Sequence, residues 1–295
     1  MLTYQNCRLC PRACGVDRTA GQLGFCRMPD RIFAARAAAH YWEEPVISGS
    51  FGSGAVFFSG CTLRCAFCQN REISTGCAGQ PLTPDALRDV FLRLIDDGVQ
   101  NINLVTPTHF LPSIVPALTP KLPVPVVYNC GGYESVETLR QLEGLIDVYL
   151  PDYKYSDARL AARLSAAPDY PAVADAAIRE MVRQTGPAVI VDDQLVRGTL
   201  VRHLLLPGYL DNTLGALDWF ADAFPDGSVL LSLMSQYTPA GKAKETPPLD
   251  RRVTEDEYAA ALSYLELLGI ENGFTQDLSA AETTYIPDFN GEGLK

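Results

Sequence analysis

From residue 55 onward, short aliphatic or β-branched runs alternate with segments of helical apolar spacing. This is the pattern of βα units that feed a parallel sheet. AVFFS (55–59) is continuously apolar, as a strand covered on both faces should be. NINLV (101–105), VPVVY (124–128), IDVYL (146–150), TLVRHLLL (199–206) and SVLLSLM (228–234) extend the series to six predicted strands. The spacing predicts a helix over 84–97: Thr83 can cap it, Pro84 suits its first position, Leu87, Val90, Phe91, Leu94 and Ile95 form one apolar face, and Gly98 can close it. Segments 113–118, 135–143, 174–184 and 211–223 have helical spacing too, and a final helix over 254–268 carries Tyr258, Leu262, Leu265 and Leu268.

Six strand–helix units are too few for an eight-stranded barrel. The predicted fold is therefore α/β, a partial (β/α)6 barrel of the TIM type over residues 51–295, preceded by a small cysteine-rich metal-binding module and lead-in over residues 1–50. No solenoid period or low-complexity tract interrupts it, and TPAGKAKETPPLD (238–250) is a candidate mobile flap. Polar clusters follow the predicted strands: the cysteine loop SGCTLRCAFCQN, then TPTHF, NCGGY, PDYK and SQYTPAGK. In parallel α/β architectures chemistry sits at the C-terminal strand ends, so one mouth should gather all five.

Composition narrows the class. A net charge of -11 argues against a general nucleic-acid partner, which would need a concentrated basic face. The start MLTYQNCRLC lacks a basic segment followed by an apolar one, and runs such as LVRHLLLPG are too short to span a bilayer. A soluble cytoplasmic protein is expected. Nine cysteines, odd in number and clustered, favour metal ligation in a reducing compartment over a disulfide framework.

Cys61, Cys65 and Cys68 fall within eight residues as C-x3-C-x2-C, directly after the first predicted strand. A cubane iron–sulfur cluster usually takes four thiolates, so three leave one iron with an open position. A structural zinc site would instead need a fourth ligand, which Cys77 or His109 can supply.

With its spacing and with Phe67 before the last cysteine, this loop resembles that of the radical S-adenosylmethionine superfamily. The resemblance narrows to the pyruvate formate-lyase activating enzyme-like group and runs along nearly the whole chain: CRLCPRACGVDR, GFC, GSGAVFFSGCTLRCAFCQN, NINLVTPTH, YNCGGYESVETL, DVYLPDYKYSD, VRHLLLPG, SLMSQYTP and GFTQD. It implies a 4Fe–4S cluster on Cys61, Cys65 and Cys68 and S-adenosylmethionine on the open iron, with reductive cleavage to a 5′-deoxyadenosyl radical that abstracts hydrogen. Phe67 resembles the aromatic that borders the adenine, Lys154 the lysine that approaches the cofactor carboxylate, and Asp152 an aspartate that helps hold a monovalent cation. Asn129 stands where activases have an aspartate, and a neutral carbonyl is a weaker cation ligand than a carboxylate. Where many members place G-G-E for the cofactor's amino group, this chain has VTPT, whose Thr106 and Thr108 can accept from an ammonium.

Cys7, Cys10, Cys14 and Cys26 form C-x2-C-x3-C-x11-C, four thiols that suit a zinc tetrahedron or a second iron–sulfur cluster. Pro11, Gly15, Gly21 and Gly24 suit turns around a metal. His203 lies in an apolar strand, where satisfaction by a backbone group competes with a role for it or Arg202 facing the cofactor or substrate. Gln236 and Tyr237 are read as facing the cofactor, against ordinary buried hydrogen bonding. Cys130 is either a hydrogen-atom donor or a small buried hydrophobe, Cys77 is incidental, and His40 borders the N-terminal module or the surface. Glu43 and Glu44 read as a solvated patch.

The expected activity is radical chemistry, in its most specific form the activation of a glycyl-radical partner enzyme. Alternatives are modification of a peptide or small metabolite and, from another class, a non-catalytic iron–sulfur electron carrier or redox sensor. Expected partners are S-adenosylmethionine, an electron donor such as flavodoxin or ferredoxin, and a protein or peptide substrate, with no nucleic acid and no membrane.

Overall fold

The structure is a computed structural model that describes residues 1–276, 278 and 287–295. Asp277, the last residue of GFTQD, lies outside the described residues. The strands are β1 (Ile32–His40), β2 (Ser53–Phe58), β3 (Gln80–Leu82), β4 (Ile102–Val105), β5 (Val126–Cys130), β6 (Val148–Pro151), β7 (Val189–Val191), β8 (Gln194–Leu204), β9 (Leu230–Met234) and β10 (Gly273–Thr275). They form one mostly parallel sheet in the order β10-β9-β8-β6-β5-β4-β2-β1-β3, with β7 paired to β8.

The six predicted strands are β2, β4, β5, β6, β8 and β9, and all neighbours among them are parallel. The sheet extends beyond them on both sides. Strand β10 adds a parallel neighbour to β9, while β1, inside the expected lead-in, pairs antiparallel with both β2 and β3. The alanine-rich IFAARAAAH has weak intrinsic strand character, and its partners fix its conformation.

Side-chain alternation divides the sheet into two environments. On one face Leu104, Tyr128, Tyr149, Val201 and Leu231 join a core with helix residues such as Phe91, Leu139, Ile178 and Leu217. On the other, Val127, Val148, Leu150, Leu200 and Leu230 pack around Val46 and Ile47 from the short helix Pro45–Ser48. That helix plugs the interior face, and Asn101 Nδ2 holds it by donating to the Ile47 carbonyl at 2.7 Å.

The predicted helix after β3 spans Pro84–Asp96. Thr83 Oγ1 accepts from Ala86 N at 3.1 Å, and Leu87, Val90, Phe91 and Leu94 are buried. The cap contributes about 1 kcal/mol, and burial of each large apolar side chain about 1.5–3 kcal/mol. The helix Ala158–Ser165 was not predicted: it is amphipathic, with Leu160, Ala161 and Leu164 on its buried side, but its eight residues carry only two large apolar side chains. Among the described residues no helix is long and apolar enough to cross a membrane.

Candidate functional site

The C-terminal ends of β2, β4, β5, β6, β8 and β9 open into one cavity of about 240 Å³. Cys61, Cys65 and Cys68 line it with Phe67, Thr106, Asn129, Cys130, Asp152, Lys154, Arg202, Gln236 and Tyr237. A larger groove of about 610 Å³, bordered by Arg163, Tyr209, Asn212 and Glu257, holds none of the expected site residues.

The cysteine loop turns sharply out of β2. Gly60 has φ +82°, and a Cβ there would stand 2.9 Å from the Cys26 carbonyl, so the loop lies directly against the N-terminal segment. None of the three thiols is in a disulfide. Leu63 N donates to Cys61 Sγ at 3.4 Å and Ser165 Oγ to Cys65 Sγ at 2.9 Å, the contacts that a thiolate would accept. Burial, reinforced by Cys65 and Cys68, pushes the Cys61 thiol up to about 12, and burial also raises Cys65 against the pull of Lys154. Among the described residues no three His, Cys, Asp or Glu side chains close on one point as ligands of a single ion do. A cubane asks less convergence, because each thiolate binds its own iron. The donor set therefore fits a cluster better than a lone metal.

Beneath the thiols lies a charged network. Lys154 Nζ donates to Asp152 Oδ2 at 2.5 Å, and Arg202 Nε donates to Asp152 Oδ1 at 2.8 Å. Arg202 also reaches Glu43 Oε2 and Asn129 Oδ1, each at 2.7 Å. Burial opposes the charge on Asp152, but Arg202 and Lys154 outweigh it and hold the carboxyl below the usual range. For Lys154 burial likewise pulls down, and the Asp152 carboxylate reverses the sign. Glu43 and Glu44 are not a solvated patch: their side chains are only 10% and 3% exposed, because the Pro45–Ser48 plug carries them into the interior beside Arg202. Burial pushes the Glu44 carboxyl up against the pull of Arg202, whose Nη1 stands 3.9 Å from Glu44 Oε2.

Residues 48–111, from the plug to the end of the β4 loop, match the family described as a 4Fe-4S single cluster domain. Over 278 residues the chain is 30% identical to the uncharacterized protein MJ0674 of Methanocaldococcus jannaschii, an alignment that takes in 91% of this chain and 76% of that protein. The chain belongs to the MJ0674 family. Among solved structures it is similar to the crystal structure of Streptococcus suis SuiB bound to precursor peptide SuiA, with 14% identity and a TM-score of 0.47 over 75% of this chain. It spans about half, 48%, of the SuiB chain.

In this family member two residues expected at the cofactor lie elsewhere. His203 is adjacent to Arg202 on β8, so alternation turns it to the opposite face, where its ring nitrogens meet the Tyr153 carbonyl at 2.6 Å and Thr213 Oγ1 at 3.0 Å. Burial depresses it to about 4. Thr108 is buried and donates to Glu134 Oε1 at 2.9 Å, whereas Thr106 faces the cavity with φ +60°. His109 is also outside the cavity, its Nε2 at 2.6 Å from the Ser59 carbonyl. Phe67 is 8% exposed and meets Tyr155 and Tyr237 edge-on. Tyr237 OH donates to the Leu249 carbonyl, which ties the cavity wall to the predicted flap. Cys130 and His40 both line the cavity; Cys77 does not.

The N-terminal cysteines stand on tight turns. Gly15 N donates to the Cys7 carbonyl at 3.0 Å, Ala13 N to the Cys10 carbonyl at 3.0 Å, and Phe25 N to Cys14 Sγ at 3.3 Å. Cys7 and Cys26 are buried, and Cys10 feels both Cys14 and Cys26. An N–H aimed at sulfur suits a metal-bound thiolate, but no three of these thiols close on one point either, so this donor set too fits a cluster better than a lone zinc ion. Arg12 fastens the module to the sheet: Nε donates to the Thr62 carbonyl at 2.9 Å, and the guanidinium lies 3.8 Å from the Phe25 ring centroid and 4.9 Å from that of Tyr133. Sequence reasoning missed Glu134, a buried carboxyl that burial pushes to about 8 and that accepts from Thr108, Tyr128 and the Cys130 thiol. A glutamate two residues beyond a glycine pair carries no signal of burial.

Proposed function

We propose that this protein is a radical S-adenosylmethionine enzyme, built on a partial (β/α) barrel, that abstracts hydrogen from its substrate. The supporting observation is the convergence on one cavity of three unpaired cysteines from a single loop with Lys154, Asp152 and Asn129 from neighbouring strand ends. With a 4Fe–4S cluster on Cys61, Cys65 and Cys68 and S-adenosylmethionine on the open iron, reductive cleavage of the sulfonium supplies a 5′-deoxyadenosyl radical. The protein's own share is positional. Lys154, whose ammonium Asp152 orients, would meet the cofactor carboxylate; Phe67 and Tyr237 would border the adenine; Thr106 and Gln236 would offer oxygen acceptors to the amino group. The apolar wall of Phe57, Val105, Leu204 and Met234 keeps water from the radical.

The most specific form of this reading is activation of a glycyl-radical partner, with electrons from a flavodoxin or ferredoxin and with zinc or a second cluster in the N-terminal module. The measurement is anaerobic: protein reconstituted with iron and sulfide receives dithionite and S-adenosylmethionine, and 5′-deoxyadenosine is followed, with Cys65→Ala as control. Product from the wild type alone supports the reading. A reducible cluster without product points to an electron carrier or redox sensor instead.

A further inference from the structure

Arg202, Asn129 and Glu43 form a closed hydrogen-bonded ring. Arg202 Nη1 donates to Glu43 Oε2 at 2.7 Å, Arg202 Nη2 to Asn129 Oδ1 at 2.7 Å, and Asn129 Nδ2 to Glu43 Oε1 at 3.0 Å. Asn103 Nδ2 adds a further bond to Glu43 Oε1 at 3.3 Å. The remaining guanidinium hydrogen bond, from Nε to Asp152 Oδ1, connects the ring to Lys154, and Glu44 Oε2 stands 3.9 Å from Nη1 as a third carboxylate around the cation. All three ring side chains are nearly excluded from solvent, with Arg202 13% and Glu43 10% exposed and Asn129 buried.

The ring explains why position 129 carries an amide. A carboxylate there would accept from Arg202 equally well, but it has no proton for Glu43 and would bring two anionic oxygens to about the 3.0 Å that now separates Asn129 Nδ2 from Glu43 Oε1. The acid missing from β5 is supplied by the lead-in, and the guanidinium occupies the space between Asn129 and Asp152. Arginine suits this place because its planar fork binds several acceptors in fixed directions.

We propose that Glu43 is a positioning residue of this site: through its ring with Asn129 it fixes Arg202 as a resident cation beneath Asp152 and Lys154, so that no soluble monovalent cation is taken up there. The consequence for catalysis rests on the radical reading above, whereas the ring is testable without it. The experiment measures thermal midpoints of the protein as purified, in potassium, sodium and choline chloride at equal ionic strength.

Glu43→Gln and Asn129→Asp each break the ring and should lower the midpoint by roughly 5 °C. The exchanged pair, Glu43→Gln with Asn129→Asp, rebuilds it with donor and acceptor swapped and should recover most of the loss, a coupling that independent sites do not show. Arg202→Met leaves Glu43, Glu44 and Asp152 facing a vacated cationic position, and its midpoint should rise in potassium or sodium relative to choline. The wild type should respond equally to all three salts. Additive losses in the exchanged pair, or a wild-type midpoint raised by sodium or potassium, would overturn the proposal, the latter even if every variant failed to fold. No arm uses a cluster or S-adenosylmethionine, so absence of 5′-deoxyadenosine in the earlier assay would defeat the proposed function and leave this result readable. In the reconstituted protein the exchanged pair should also recover the Michaelis constant for S-adenosylmethionine that each single change raises.

Discussion

The two groups of cysteines are built on opposite principles. Cys61, Cys65 and Cys68 come from one loop, and their surroundings come from everywhere else: the ends of five further strands supply the cavity around them. Cys7, Cys10, Cys14 and Cys26 belong to one short segment, whose own backbone turns around Cys7, Cys10 and Cys14 while Cys26 joins the main core. The first group presents thiols to a space that can admit another molecule, and the second keeps them within reach of one another's charge. An open set suits chemistry; a closed set suits structure or electron storage.

The largest test of that contrast removes one thiol from each group. Cys65→Ala should abolish 5′-deoxyadenosine formation and the visible absorption of the loop's cluster while leaving the midpoint of the metal-free protein nearly unchanged. Cys26→Ser should do the reverse, losing the module's metal and lowering thermal stability while leaving the loop cluster assembled. Iron, zinc and sulfide per chain, measured for both variants, decide it. Equal loss of iron from both would mean that the groups act as one site.

A second test probes the companions that only the open group has. Lys154→Met leaves Asp152 paired with Arg202 alone and removes the cation that faces the thiols. Truncating one partner of such a desolvated pair costs about 2–5 kcal/mol, so 5′-deoxyadenosine formation per unit of cofactor should fall by about 30-fold or more. A rate unchanged at saturating cofactor would confine the lysine to binding.

The join between the groups gives a third. Arg12 crosses from the cysteine turns to the cysteine loop, with hydrogen bonds to carbonyls and a place between Phe25 and Tyr133. Arg12→Ala should destabilise the protein by about 3 kcal/mol, from lost charge-assisted bonds and ring contacts. Urea unfolding followed in parallel by Trp219 fluorescence and by the thiol reactivity of the buried Cys7 and Cys26 would show whether the module then melts ahead of the sheet.

What the sequence revealed of this arrangement follows the range of the forces involved. The cysteine loop was legible because spacing and preceding strand are local, and Asp152 and Lys154 because they share a short motif at a strand end. Arg202 and His203 were not separable, since the phase of β8 depends on its neighbours, and a shift of one residue exchanges the two faces. Glu43 and Glu44 looked solvated because adjacent acids usually are; only the plug formed by Val46 and Ile47 against β5, β6 and β8 draws them inward. Strand β1 escaped notice because alanines carry little of the strand signal that pairing with β2 enforces.

Glu134 offers the smallest and most discriminating effect, since it stands between the groups. It accepts a hydrogen bond from Cys130 on the cavity side, and on the other its carboxylate, once ionised, adds to the burial that raises the Cys10 thiol. Its carboxyl titrates at about 8 in the folded protein, against 4.5 for an ordinary glutamate. The folded state therefore holds a proton that the unfolded chain has released, and stability falls as pH rises through that interval and levels off above it. Between mildly acidic and mildly basic pH this amounts to roughly 1–2 kcal/mol. Glu134→Gln keeps the shape, cannot ionise, and should flatten that part of the profile of midpoint against pH. Above about pH 8, where the wild-type carboxyl is ionised, it also removes a negative charge near Cys10, which eases loss of the thiol proton, so metal should load onto the N-terminal module more readily there and as in the wild type below it. The cysteine loop should load as before. A parallel shift in both groups would mean that the two sites share their electrostatics, and that the closed set is no independent structural clasp.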